Sequence, residues 1–247
     1  MKKLFVLIAA ACMTCTAAFA QTVKPFKEGE RAVFLGNSIT DGGHYHSYIW
    51  LYYMTRFPGM PIRVFNGGIG GDTAYDMNKR LDGDIFAMKP SVLMVTFGMN
   101  DSGYFEYNGD KPKEFGEQKY QESIKNYQQM EKRFKDLPDT RIVMVGTSPY
   151  DETVQLKENT PFKTKNETIK RLVEYQQESA AKNNWEFTDL NAPMTAINQQ
   201  YQQKDPTFTL CGSDRIHPDN DGHMVMAYLF LKAQGFVGKE VADMEIN

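Results

Sequence analysis

Short apolar runs alternate along this chain with longer stretches in which apolar positions recur every three or four residues. The runs at 32–35, 62–65, 92–97, 141–146 and 185–190 read as β-strands. The stretches near 46–56, 73–81, 117–134, 163–182 and 222–234 read as helices. The third of these is the clearest. Tyr120, Ile124, Tyr127, Met130, Phe134 and Leu137 fall on one stripe. The last is apolar nearly all round from Met224 to Leu231, which predicts a buried helix. Strands separated by helices must run parallel. The pattern therefore predicts an α/β fold, a three-layer α/β/α sandwich on a five-stranded parallel sheet. In the flavodoxin-like order 2-1-3-4-5, the ends of the first and third strands lie side by side, and ligands bind at that point. The turns after Leu35 and after Phe97 are thus where chemistry is expected.

Composition narrows the setting. The chain has 247 residues, 28 Lys and Arg against 31 Asp and Glu, and three cysteines. Its first twenty residues carry Lys2 and Lys3, an apolar core from Leu4 to Cys12, and Ala18-Phe19-Ala20 before Gln21. This is the pattern of a secretory signal peptide, cleaved near Ala20-Gln21, and it predicts an exported protein, periplasmic or secreted. A lipoprotein would use Cys12 or Cys15, but neither follows a suitable small-residue triplet. The remaining 21–247 suit one domain with a proper core. They hold a single cysteine, Cys211, so no internal disulfide is expected there. The acidic balance gives no reason to expect nucleic acid. No later run approaches the ~20 apolar residues that span a bilayer. The final Val241-Ala242-Asp243-Met244-Glu245-Ile246-Asn247 could begin another strand or domain. Nothing in the sequence fixes the oligomeric state.

The first expected strand ends in Gly36-Asn37-Ser38-Ile39-Thr40-Asp41. A hydroxyl on a tight turn at the end of a buried strand points out of the sheet, although strands also end in Gly and Ser for turn reasons alone. After the second strand comes Asn66-Gly67-Gly68-Ile69-Gly70-Gly71-Asp72-Thr73. It fails the dinucleotide pattern G-x-G-x-x-G, because counting from Gly68 puts Thr73 at the last position. No cofactor is expected. Asp72 reads as a helix N-cap, and Asn66 as a turn residue. After the third strand, Gly98-Met99-Asn100-Asp101 offers the Asn100 amide as a donor, or as an Asx turn.

A serine nucleophile needs a base, usually histidine. His217 is held out of a helix by Pro218, and Asp214 lies close enough on the same loop to orient its ring. Asp189, at the end of the fifth strand, is the competing acid and reads as structural. His223 reads as a capping or packing residue. His44 and His46 could line the pocket. Neither has carboxylate or thiolate partners at zinc spacing, so no metal is expected.

These blocks, in this order, resemble the SGNH branch of the GDSL esterases and lipases. The carriers are Gly36-Asn37-Ser38 with Ile39-Thr40-Asp41, Asn66-Gly67-Gly68-Ile69-Gly70-Gly71, Gly98-Met99-Asn100-Asp101 and Asp214-Arg215-Ile216-His217-Pro218. They span nearly all of 21–247. Asn37 stands where the namesake motif has Asp. The resemblance implies Ser38 as nucleophile, His217 as base and Asp214 as its orienter. It also implies an oxyanion hole from the N–H groups of Ser38 and Gly68 and the Asn100 side chain. The α/β-hydrolase elbow G-x-S-x-G fits worse, because Thr40 stands at its second glycine.

The ester is less legible. His44, Tyr104, Phe105 and Tyr107 are candidates for substrate contact, since aromatics beside a site can stack on sugars or hold an acyl chain. Tyr48 and Trp50 read equally as packing. By analogy with exported bacterial carbohydrate acetylesterases, O-deacetylation of a poly- or oligosaccharide is expected. The rivals are a general short-chain acyl-esterase or lysophospholipase, and an inactive carbohydrate-binding module on the same scaffold.

Overall fold

The computed structural model describes residues 22–238. The signal-peptide and lipoprotein expectations at 1–20 and the 241–247 tail lie outside the described residues. Five strands form one parallel sheet: β1 (Arg31–Gly36), β2 (Arg63–Gly68), β3 (Val92–Val95), β4 (Arg141–Gly146) and β5 (Glu186–Asp189). Their order is β2-β1-β3-β4-β5, the flavodoxin-like order expected of the fold. Successive side chains of a strand face opposite ways, and the two cores follow that rule. Ala32 and Phe34 face one core, Val33 and Leu35 the other. On the first side lie Tyr45, Ile49 and Tyr53 of α2 (His44–Arg56) and Met226 and Phe230 of α7 (Asn220–Ala233). On the second lie Ala74 and Met77 of α3 (Ala74–Arg80) and Tyr127, Met130 and Phe134 of α4 (Pro112–Lys135). Each fully buried Leu, Phe or Met side chain contributes roughly 1.5–3 kcal/mol.

Four expectations change. The last helix is not buried all round: Met224 is 53 % and Tyr228 49 % exposed. With Leu51 of α2 they line an apolar surface groove. A helix α6 (Asn191–Gln202) was not legible, because it buries Asn191 and Asn198 beside Met194 and so shows no apolar stripe. The second strand begins and ends later than expected. It runs on through Asn66-Gly67-Gly68, and Gly68 sits in register with Gly36. Finally, Asp72 is not the N-cap of α3. Thr73 is, in a capping box with Asp76, and the Asp72 carboxylate instead holds Arg80. Among the described residues no helix is long and apolar enough to cross a membrane. Cys211 is buried, and burial pushes its thiol up to about 12.

Candidate active site

The site forms where β1, β2 and β3 end. After Gly36 the chain turns into α1 (Ser38–Asp41), a single turn capped by the Asn37 side chain, which accepts the Ile39 N–H at 3.1 Å. Asn37 is buried, and its role is to hold this turn. Thr40 hydrogen-bonds Tyr45, and His46 donates its Nε2–H to the Thr40 carbonyl at 3.2 Å. Two glycines allow the turn to lie against the sheet. A Cβ on Gly36 would stand 2.1 Å from Thr40 Oγ1, and one on Gly68 only 2.2 Å from the Asp41 amide nitrogen. Asn66 completes the joint. Its Nδ2 donates to the Asp41 carbonyl at 3.0 Å and its Oδ1 accepts the Gly68 N–H at 2.9 Å. It is therefore the Asp41 backbone that ties the turn down.

The opposite wall is the loop carrying Asp214 and His217. The Asp214 carboxylate accepts the N–H groups of Ile216 and His217, both at 2.9 Å, and its Oδ2 lies 2.5 Å from His217 Nδ1. That contact puts the proton on Nδ1 and leaves Nε2 as an acceptor. His217 Nε2 lies 2.7 Å from Ser38 Oγ, across 179 residues of sequence. The ring and the carboxylate are each about half exposed. The hydrogen bond to Asp214 raises the His217 pKa above its ordinary value, and partial burial offsets only some of this. Burial pushes the Asp214 carboxyl up, but the hydrogen bonds from His217 and Ile216 outweigh it and hold it below the usual carboxylate range.

Between them stands a residue the sequence did not flag. Arg215 is 2 % exposed and adopts φ +70°. Its guanidinium donates to the carbonyls of Asp151, Val154 and Asn159 at 3.1, 2.7 and 2.6 Å. Asp151 N–H returns a bond to the Arg215 carbonyl at 3.0 Å. The left-handed backbone throws Asp214 and His217 to the surface while the side chain anchors the loop inside. The only hint was an arginine inside a short motif.

On the third strand end, Asn100 donates Nδ2–H to the Asp72 carbonyl at 2.9 Å, and its Oδ1 accepts Tyr104 O–H at 2.5 Å. Asp101 is buried and binds the N–H groups of Ala74 and Gly98 and the Ser123 hydroxyl. Lys165, fully buried, donates to the Met99 and Gly103 carbonyls and the Ser102 hydroxyl at 2.7, 2.5 and 2.6 Å. Burial pushes its ammonium down to about 7.

Of the aromatic candidates, Tyr107 is a packing residue and not a substrate contact. It is 3 % exposed and its hydroxyl is bonded to Ser102 and Thr168. Tyr104 bonds Asn100 and packs edge-on to Phe162; Phe105 is 80 % exposed against the same ring. Neither lines the cleft of about 580 Å³ that holds Ser38 and His217. His44 does, stacked 5.1 Å from His223, which stacks in turn on Tyr45. His223 is buried against these two rings and also borders the cleft, and burial holds its pKa down to about 4. Asp189 binds the N–H groups of Asn191 and Ala192 at the start of α6, a structural role.

Residues 34–225 match the GDSL-like lipase/acylhydrolase family. The chain belongs to that family of ester-hydrolysing enzymes. It is 27 % identical over 224 residues to an acetylxylan esterase of Geobacillus stearothermophilus, covering 84 % of this chain and 95 % of that one. The solved structure of that organism's acetylxylan esterase Axe2 superposes with a TM-score of 0.67 at 23 % identity, over 89 % of this chain and 99 % of that one, and shares the fold. A solved gut microbial diltiazem-metabolizing enzyme is 85 % identical with a TM-score of 0.90, over 92 % of this chain. The present chain spans about half (51 %) of that enzyme's length.

Proposed function

We propose that this protein is a serine esterase that removes O-acetyl groups from an oligo- or polysaccharide through an acyl-enzyme. The observation that carries the reading is the unbroken hydrogen-bond chain from Ser38 through His217 to Asp214 beside an open cleft. His217 Nε2 takes the Ser38 proton as Oγ attacks the ester carbonyl. Asp214 holds the Nδ1–H tautomer and stabilises the imidazolium. The oxyanion is met by the Ser38 N–H, which lies in the first turn of α1 and has no acceptor in its own helix. The second N–H of Asn100 and the Gly68 N–H complete the hole. The Gly68 N–H is held by Asn66 in the free enzyme, so the oxyanion must share or take that bond. Each such donor contributes about 3 kcal/mol in comparable sites. His217 then protonates the leaving alcohol, and water repeats the sequence on the acetyl-enzyme.

The glycan reading draws on the acetylxylan esterase relative. The diltiazem-metabolizing relative favours a second reading, a small-ester hydrolase that also accepts drug-sized acetyl esters. A panel separates them: acetate release from acetylated xylo-oligosaccharides, p-nitrophenyl acetate, diltiazem and a long-chain ester. The glycan reading expects the xylo-oligosaccharides to give the highest kcat/KM. Turnover confined to the aryl ester and the drug overturns it. Residues 1–20 support a further proposal, export with cleavage after Ala20. N-terminal sequencing of protein from the periplasm or medium should begin at Gln21; an intact Met1 rejects it.

A further inference from the structure

The oxyanion donors sit on three separate turns, and one polar network ties all three together. Arg80, the last residue of α3, donates Nε–H to Asp72 Oδ2 at 2.6 Å. Its Nη2 reaches the Gly67 carbonyl at 2.8 Å and the Gly36 carbonyl at 3.2 Å. One planar guanidinium therefore joins the ends of β1 and β2, the strands that lead to Ser38 and Gly68. A fork of fixed geometry can do this where a lysine ammonium cannot. The Arg80 and Asp72 side chains are only 13 % and 10 % exposed, so solvent competes little for these bonds.

The network continues to the third turn. The Asp72 carbonyl accepts one N–H of Asn100, and the Asn100 Oδ1 accepts the Tyr104 hydroxyl. Tyr104 is itself pinned, with Lys165 Nζ 3.9 Å over its ring while that ammonium grips the 99–103 loop. An amide engaged at its oxygen and at one N–H cannot flip without breaking both bonds. Its second N–H is then the one group it can offer. A flipped amide would face the oxyanion with a carbonyl oxygen and repel it.

We propose that Arg80 and Tyr104 are positioning residues of the oxyanion hole: Arg80 fixes the β1 and β2 turns relative to each other, and Tyr104 fixes the orientation of the Asn100 amide. This rests on the acyl-transfer reading above. Donors set before substrate arrives need no reorganisation as charge develops, and act mainly in the transition state. Disturbing them lowers kcat and leaves KM nearly unchanged.

The test compares Tyr104→Phe, Arg80→Lys, Asn100→Ala and the double variant Tyr104→Phe/Asn100→Ala. All are assayed on p-nitrophenyl acetate, with active sites titrated by a serine-reactive phosphonate so that misfolded protein is not counted. Tyr104→Phe is expected to lower kcat per titrated site about tenfold and Arg80→Lys ten- to a hundredfold, with KM within about twofold. The double variant is expected to be no slower than Asn100→Ala alone, because Tyr104 acts through Asn100. Full kcat per titrated site in Tyr104→Phe and Arg80→Lys, with Asn100→Ala impaired, overturns the positioning roles and leaves the acyl-transfer reading standing. So does a double variant slower than Asn100→Ala by the full Tyr104→Phe factor. Full activity in Ser38→Ala overturns the reading itself, and the proposal with it.

Discussion

The two sides of the candidate site are built in opposite ways. The Asp214–His217 side is local. Asp214 and His217 lie three residues apart on one half-exposed loop, and the buried Arg215 side chain anchors it. The side carrying Gly68 and Asn100 is woven into the sheet. Its bonds run among the ends of β1, β2 and β3, the end of α1 and both ends of α3, and three of these four are at least part-buried. A proton-transfer pair tolerates solvent and needs one good contact, here 2.7 Å to Ser38. Donors aimed at a developing charge need fixed positions more than access. The molecule gives its rigidity to the second task.

That contrast can be broken by variants on each side. The largest effect is expected from Asp214→Asn, which destroys the tautomer and the imidazolium partner together. A loss in kcat on the order of 10⁴ follows from the same change in comparable triads. It has a pH signature as well. In the proposed mechanism His217 must be neutral to take the Ser38 proton, and its pKa is raised by Asp214. The acid limb of the wild-type rate profile should therefore lie above the ordinary histidine value. In the residual activity of Asp214→Asn it should move to lower pH. Unmoved limbs would show that the pair does not govern the profile.

Gly68→Ala comes next and acts on the woven side. The added Cβ would meet the Asp41 amide nitrogen at 2.2 Å, so the Ser38 turn must shift. A displacement of about 1 Å costs on the order of 10² in rate. Steady-state kinetics should show the loss in kcat, with the Asp214-dependent pH limb in place. A wild-type kcat would mean that the turn is not pressed against β2.

Arg215→Met should act on the local side, and mainly on stability. It strands the carbonyls of Asp151, Val154 and Asn159 at a buried site. A loss of about 3 kcal/mol is expected from urea unfolding, with a kcat reduction of only about tenfold because the Asp214–His217 contacts are internal to the loop. The reverse order, a large rate loss without destabilisation, would give Arg215 a part in the chemistry.

The same contrast explains what could be read from the sequence. The strands β1, β3 and β4 were legible because buried parallel strands are continuous apolar runs, and the sheet order followed from the flavodoxin-like pattern. Ser38, Asp214 and His217 were legible because they sit in short motifs at strand or loop ends, and the structure brings them together. The woven side was only half legible. Its partners are distant in sequence, as with Arg80 and Gly36, or disguised by a commoner role. Asp72 looked like a helix cap, yet its side chain serves Arg80 eight residues on. Tyr104, Phe105 and Tyr107 looked alike in sequence, but backbone direction after Asn100 sends one to Asn100, one to solvent and one into the core. Helix α6 escaped because it buries asparagines, which periodicity of apolar residues cannot register.

In the proposed mechanism Ser38 is the nucleophile, activated by His217. That role is tested most directly by treating the protein with a serine-reactive organophosphonate and mapping the adduct by mass spectrometry. One adduct is expected, on Ser38, with loss of esterase activity in proportion, and little labelling in His217→Ala. An adduct on another residue, or full activity after Ser38 is labelled, would contradict it.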